Sequence, residues 1–410
     1  MYRYYTYDGR TLCSAAVLPY PEISALPETG EVLWVFHRPP LAGRDTFPVT
    51  DPAQLTEEEG VASLCTAPCP GDMPPALLSA IRAGRVRAVN GSHPRFEELL
   101  APLSRPEKVR VNLLALGDVG STLLLGLRLM GGDVISSIGI CDLREGVAQR
   151  WEFELNQIQL PGPYDALPPV EIVSPEQLFD GDVFLFCASR FVPDTAVKTG
   201  DVRMAQYQLN RELAALYARK AREARYRGLF CVVSDPVDPL CRAVLTESNR
   251  APGGGMDYQG LLTCQVRGFG LGVMNARAAY YAQRDPRFAS FLTEGRTFGP
   301  HGEDLVVANS IDRYDDGLSR LLTERTVHAN LQMREMGFKP YVAPALSSGA
   351  LSLLLCLRGQ WHCSSTYLGG VFMGARNRVT AAGTELECLP LPRQLQDRLQ
   401  TTMDRLRAID

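Results

Sequence analysis

What this chain lacks narrows it first. No apolar run is long enough and clean enough to span a bilayer: the most apolar stretch, residues 113–130, is interrupted by Asp118, Arg128 and several glycines. The N-terminus shows no basic-then-apolar-then-small order, so a cytoplasmic location and no membrane partner are expected. Positive charge is not in excess either. A net charge of −4 predicts no attraction to nucleic acid or to an anionic surface, which leaves small molecules as the expected partners. Eleven cysteines without a secretory pattern read as reduced thiols. The closest pair, Cys65 and Cys69, has no second pair or His-x-His cluster beside it, so no metal site is predicted. No internal repeat or low-complexity tract is present.

What remains is an ordinary globular composition, 45% hydrophobic and 21% charged over 410 residues, enough for two or three domains. Residues 109–142 carry the strongest pattern. A buried apolar run (109–115) breaks at Gly117 and Gly120, continues as an apolar helix, and returns as a second apolar run ending on Asp142. Strand, tight turn, helix, strand and acid form the dinucleotide-binding unit. Its glycines admit a pyrophosphate to the helix N-terminus, and the acid takes the ribose hydroxyls. Gly117, Asp118, Val119, Gly120 and Asp142 are therefore the candidate cofactor contacts, with Ala188 and Ser189 at the end of a later strand. Alanine at 115 replaces the first glycine of the usual triplet. An unpaired carboxylate at Asp142 would repel a ribose phosphate, which favours NAD over NADP. A parallel βαβ unit with no ligand is the alternative.

Before this stretch, residues 1–107 read as a small α+β unit. Alternating aromatics around Asp8-Gly9 signal a hairpin, residues 31–37 a strand, and residues 75–86 and 94–103 short helices, with a linker at 102–106. After it, an amphipathic stretch covers 145–157. Strands are expected at 170–173, 182–188 and 229–233, and a helix at 203–225. Residues 351–389 read as antiparallel strands and 392–409 as a closing helix. The fold class is α/β: a doubly wound parallel sheet of Rossmann type (108–245), then an α+β catalytic domain (246–410), preceded by the α+β unit.

Five landmarks then fall in one order: the Gly-rich turn with Asp142, Arg203 with Asn210 on a helix, Ser234-Asp235-Pro236-Val237-Asp238, Ala276-Arg277, and Gly299-Pro300-His301-Gly302-Glu303. With them, residues from about 109 to the end resemble the lactate/malate dehydrogenase family. Residues 1–107 have no counterpart there. The resemblance implies an NAD-dependent enzyme, a homodimer or homotetramer, moving a hydride between the cofactor and a 2-hydroxy or 2-oxo acid. It implies His301 as proton donor and acceptor, Arg277 as the grip on the substrate carboxylate, and Arg203 as a loop arginine that binds substrate and polarises the reacting carbonyl. Imidazole titrates near working pH, and guanidinium offers two parallel donors to a carboxylate.

The departures are chemical. Where the family has an aspartate partner for the histidine, this chain has Met274; where it has an asparagine near the carbonyl, this chain has Asp235. The loop from 189 to 203 is long, and Phe191 and Lys198 are its candidate substrate-selecting residues. Asp235 is accordingly a candidate catalytic carboxylate, relocated to orient His301; as a plain turn residue before Pro236 it would leave the site dead. A non-catalytic homologue that binds NAD or a carboxylate as sensor or scaffold is the rival reading.

Overall fold

A computed structural model describes residues 2–56, 58–68, 71, 73–190 and 201–409, with the side chains of 201–205 outside the description. The N-terminal segment forms a six-stranded mixed sheet from β1 (Arg3–Tyr7), β2 (Arg10–Ser14), β3 (Glu22–Ile23), β4 (Val32–Phe36), β5 (Thr46–Pro48) and β6 (Val86–Asn90), in the order β3-β1-β2-β4-β6-β5. The expected hairpin is there: β1 and β2 pair antiparallel, and Asp8 and Gly9 turn with φ of 48° and 71°. Both positive angles suit the right-handed twist of a two-residue hairpin. Helices α1 (Pro75–Arg82) and α2 (Phe96–Leu99) complete this segment, shorter than the sequence suggests, because residues 86–90 are drawn into the sheet as β6.

The larger sheet has nine strands. It is built from β7 (Val109–Leu114), β8 (Ile135–Cys141), β9 (Val170–Ile172), β10 (Val183–Phe186), β11 (Leu229–Val232) and β12 (Val266–Gly268), which run parallel in the order β9-β8-β7-β10-β11-β12. Renumbered within this sheet, that is 3-2-1-4-5-6, the doubly wound arrangement with its reversal between β7 and β10. Side chains alternate along the strands and build a core on each face. Leu113, Leu185 and Cys231 meet Leu123, Leu124 and Leu127 of α3 (Asp118–Met130), while α4 (Glu145–Asn156) adds Ala148 and Leu155. On the other face Phe184, Phe186 and Phe230 meet Ala214, Tyr217 and Ala218 of α5 (Asp201–Glu223) and Leu240 and Val244 of α6 (Val237–Ser248).

Beyond α6 come α7 (Leu271–Ala282), α8 (Phe291–Glu294), the two-stranded sheet of β13 (Arg296–Phe298) and β14 (Val306–Ala308), and the long α9 (Asp316–Glu335). Three antiparallel strands, β15 (His362–Leu368), β16 (Val371–Thr380) and β17 (Gly383–Leu386), extend the large sheet past β12. The expectation of strands from 351 onward holds only after 361. Residues 344–351 form a π-helical turn that runs into α10 (Ser352–Leu357), because this apolar run packs on α3 through Ala350, Leu353 and Leu354. A short apolar run fits a buried helix as well as a buried strand, and only the neighbour decides. The chain closes with α11 (Arg393–Arg407).

The N-terminal segment is joined to the rest by a buried ion cluster. Glu59, whose side chain is 2% exposed, lies 2.5 Å from Arg44 Nε and 3.7 Å from Arg38 Nη1, and also accepts the Gly369 N–H from the β15–β16 turn. Burial alone would raise its pKa, but the two guanidiniums and the N–H groups of Arg44 and Gly369 hold it below the usual carboxylate range. No helix among the described residues is long and apolar enough to cross a membrane, and no cluster of His, Cys, Asp and Glu among them is arranged to hold a metal.

Candidate active site

The site is assembled at the carboxyl ends of the parallel strands, where the strand order reverses. At β7 the chain turns through Ala115, whose φ is +75°, into Gly117 at the N-cap of α3. Gly120 is required by close approach: a Cβ there would fall 2.0 Å from the Ala115 carbonyl oxygen. A Cβ on Gly117 would meet nothing within 4 Å, so the turn beside the N-terminus of α3 is open at that position. Asp118 and Val119 begin that helix, and the Asp118 carboxylate pairs with Lys339 across exposed surface at 3.2 Å.

Asp142 follows β8 and closes this turn from beside it. Its carboxylate accepts the Leu116 N–H at 2.8 Å and the Arg144 N–H at 3.0 Å. The expectation of an unpaired aspartate is therefore corrected, since the exposed Arg144 guanidinium stands 3.5 Å away. The cause is local: Arg144 is two residues on, where the chain bends into α4. The remaining lone pairs of the carboxylate still suit hydroxyl donors, and the open N-terminus of α3 suits a pyrophosphate, so the residues present fit a dinucleotide.

Across the reversal, Ser234 Oγ donates to the Ala188 carbonyl at 2.7 Å. Ser189 Oγ and the Arg190 N–H both donate to Asn210 Oδ1, and Asn210 Nδ2 donates to the Asp235 carbonyl at 2.8 Å. Asn210, fully buried on α5, thus ties the ends of β10 and β11 together. Arg203 lies in the first turn of α5, with its side chain outside the described residues. Phe191, Lys198 and Cys69 also lie outside them.

Helix α7 brings the remaining groups together. Gly270 caps it, and Met274 and Arg277 follow at four and seven positions, on one face. His301 packs directly against Gly270, where an added Cβ would sit 2.8 Å from the histidine Cβ. His301 Nδ1 is 2.9 Å from the Gly270 carbonyl oxygen. A carbonyl only accepts, so Nδ1 carries the proton, and in the neutral ring Nε2 presents a lone pair. The backbone N–H of His301 donates to Asp238 Oδ2 at 3.1 Å, and Ser365 Oγ donates to Asp238 Oδ1. Burial pushes the Asp238 carboxyl from 3.8 up to about 6, against the pull of Ser365 and of the His301 N–H.

The carboxylate that touches His301 is therefore Asp238, in the first turn of α6 and three residues beyond Asp235. Asp235 makes neither a hydrogen bond nor an ion pair with His301; its charge acts on Arg277 instead. Arg277 is half-buried, and among the described residues its only hydrogen-bond partner is the Met274 sulfur at 3.5 Å. Burial lowers its pKa, and Tyr281 and Asp235 partly offset this. A desolvated guanidinium without a carboxylate partner is prepared for an anion. Asp238, Ser348 and Ser365 were given no role by the sequence. Only the Asp-Pro-Val-Asp spelling around Asp238 offered a signal.

The strand order and the turn define a doubly wound α/β fold of the kind that dehydrogenases use. Within that class the fold is that of lactate and malate dehydrogenases, and the likeness read from the sequence is met in both sequence and structure. No family model matches the chain. Over 204 residues the chain is 24% identical to the L-lactate dehydrogenase of Mesomycoplasma hyopneumoniae; the match covers 49% of this chain and 58% of that protein's length. The minor L-lactate dehydrogenase from Enterococcus mundtii superposes with a TM-score of 0.60 at 19% identity, covering 74% of this chain and 98% of that one. Malate dehydrogenase from Plasmodium falciparum superposes with a TM-score of 0.57 at 14% identity, covering 73% and 96%.

Proposed function

We propose that this protein is an NAD-dependent oxidoreductase that moves a hydride between NAD(H) and a 2-hydroxy or 2-oxo acid. The observation that carries the reading is the single face of α7. It holds the Gly270 carbonyl, which takes the proton of His301 Nδ1, and two turns further the guanidinium of Arg277, which among the described residues has no ion pair. NAD(H), when bound at the turn after β7, would supply the hydride acceptor or donor for the carbon next to the acid's carboxylate. The chain's own groups do the rest. Arg277 holds the carboxylate through two parallel N–H···O bonds and so orients the neighbouring carbon. In the oxidation direction His301 Nε2 takes the hydroxyl proton while Nδ1–H stays on Gly270. Arg203, heading α5 beside this crevice, is the group proposed to polarise the carbonyl. Gly117 to Gly120 would seat the pyrophosphate, Asp142 the ribose, and Ala188 and Ser189 the opposite wall.

A second reading, a non-catalytic binder of NAD or of a carboxylate, is favoured by one observation: Met274, buried beside the site, supplies no charge to an imidazolium. Fluorescence titration separates the parts. NADH should bind more tightly than NADPH, and Asp142→Asn should narrow the difference. Equal affinity of the wild type for both cofactors, or none for either, would contradict the cofactor assignment.

A further inference from the structure

Gly270 caps α7 without a side chain, so the orphan N–H groups of that helix need an acceptor from elsewhere. Ser348, buried in the π-helical turn Pro344–Leu351, supplies it: Ser348 Oγ accepts the Val273 N–H at 2.8 Å. The same hydroxyl donates its one proton to the Gly270 carbonyl oxygen at 2.8 Å. That oxygen is the one that receives His301 Nδ1–H. A chain of bonds with every direction fixed therefore runs from the backbone of α7 through Ser348 and Gly270 to the imidazole. Asp238 accepts the backbone N–H of His301 and hydrogen-bonds to neither ring nitrogen.

We infer that Ser348 is a positioning residue for His301: by bridging the Val273 N–H and the Gly270 carbonyl it aims that carbonyl at Nδ1 and keeps Nε2 free for the substrate proton. The inference rests on the proposed role of His301. It gives the ring a neutral anchor at the place where Met274 offers none. A hydroxyl is needed because the same atom must accept from nitrogen and donate to oxygen; alanine does neither, and a thiol does both weakly. Threonine retains both functions.

The test reads the ring directly, on the full chain without cofactor or acid. Nitrogen-labelled protein is compared by NMR as wild type, Ser348→Ala, Ser348→Cys and Ser348→Thr. His301 is assigned among the five histidines by the signal lost in His301→Gln. The expected result is one neutral form with the proton on Nδ1 in the wild type, loss of that single form in Ser348→Ala and Ser348→Cys, and its return in Ser348→Thr. A role limited to capping α7 would lower the melting temperature of Ser348→Ala without moving the tautomer. That outcome would overturn the inference, and so would a wild-type ring protonated on Nε2, which needs no variant to fold. Because no turnover is measured, failure of the enzymatic reading and failure of this inference remain distinguishable.

Discussion

His301 Nδ1 hangs on the carbonyl oxygen of Gly270, 2.9 Å away, and not on a carboxylate. This one bond makes Nδ1 the donor, so the neutral ring carries its proton there. The nearest carboxylate, Asp238, meets the same residue only at its backbone N–H.

The turn that leads into α3 carries a cost that can be removed. Ala115 sits at φ +75°, where a side chain costs about 1–2 kcal/mol and glycine costs little beyond its extra freedom when unfolded. Ala115→Gly should leave the protein equally stable or raise its stability by roughly 0.5 kcal/mol in urea unfolding. Gly120→Ala, by contrast, puts a methyl against backbone and should abolish NADH binding while destabilising the turn.

Arg277 should prove specific in geometry as well as in charge. Lysine keeps the charge but not the two-pronged contact, so Arg277→Lys should weaken binding of short 2-oxo acids by roughly tenfold or more. NADH affinity should be unchanged. Calorimetric titration of the acid in the presence of NADH checks both statements.

Asp238 should make stability depend on mildly acidic pH. Its pKa is raised in the folded state, from 3.8 to about 6, so between these values the folded protein binds more protons than the unfolded chain. Stability contributed at this position is highest below the unfolded value and falls as pH rises to about 6, by at most roughly 3 kcal/mol. Asp238→Asn keeps an oxygen that can accept the His301 N–H but cannot ionise, so it lacks this slope. The difference in unfolding free energy between the two proteins should therefore move in favour of asparagine from about pH 4 to about pH 6 and then level off.

At the junction of the N-terminal segment, Glu59→Gln would leave Arg44 and Arg38 buried without their carboxylate. Breaking such a cluster costs about 3–5 kcal/mol, so the variant should melt well below the wild type. Because Glu59 is held charged, the wild type should lose this contribution as pH falls through the carboxylate range.

How far the sequence could lead follows from the range of each interaction. The β7–α3–β8 unit was legible because its apolar runs, Gly117, Gly120 and Asp142 lie within one continuous stretch. The hairpin at Asp8-Gly9 was legible for the same reason. The helical fate of 344–357 was not, since this apolar run, broken only by Ser347, Ser348 and Ser352, shows no clear period and its partner, α3, lies more than two hundred residues earlier. The long α9 was missed altogether, because mixed charges run through it and its apolar face is thin. Within the site, Arg277 and His301 carried motif signals. The groups that orient His301 did not: Asp238 lies 63 positions from it, and Ser348 lies 78 from Gly270. No local pattern encodes a bond of that span.

The most direct test of the account follows NADH absorbance with the purified full chain and a panel of short 2-oxo acids. Oxidation of NADH by at least one acid is expected, at a rate that drops by about a hundredfold or more in His301→Gln while NADH binding persists. NADH that binds but is oxidised by none of the acids, or a His301→Gln protein as active as the wild type, would contradict it.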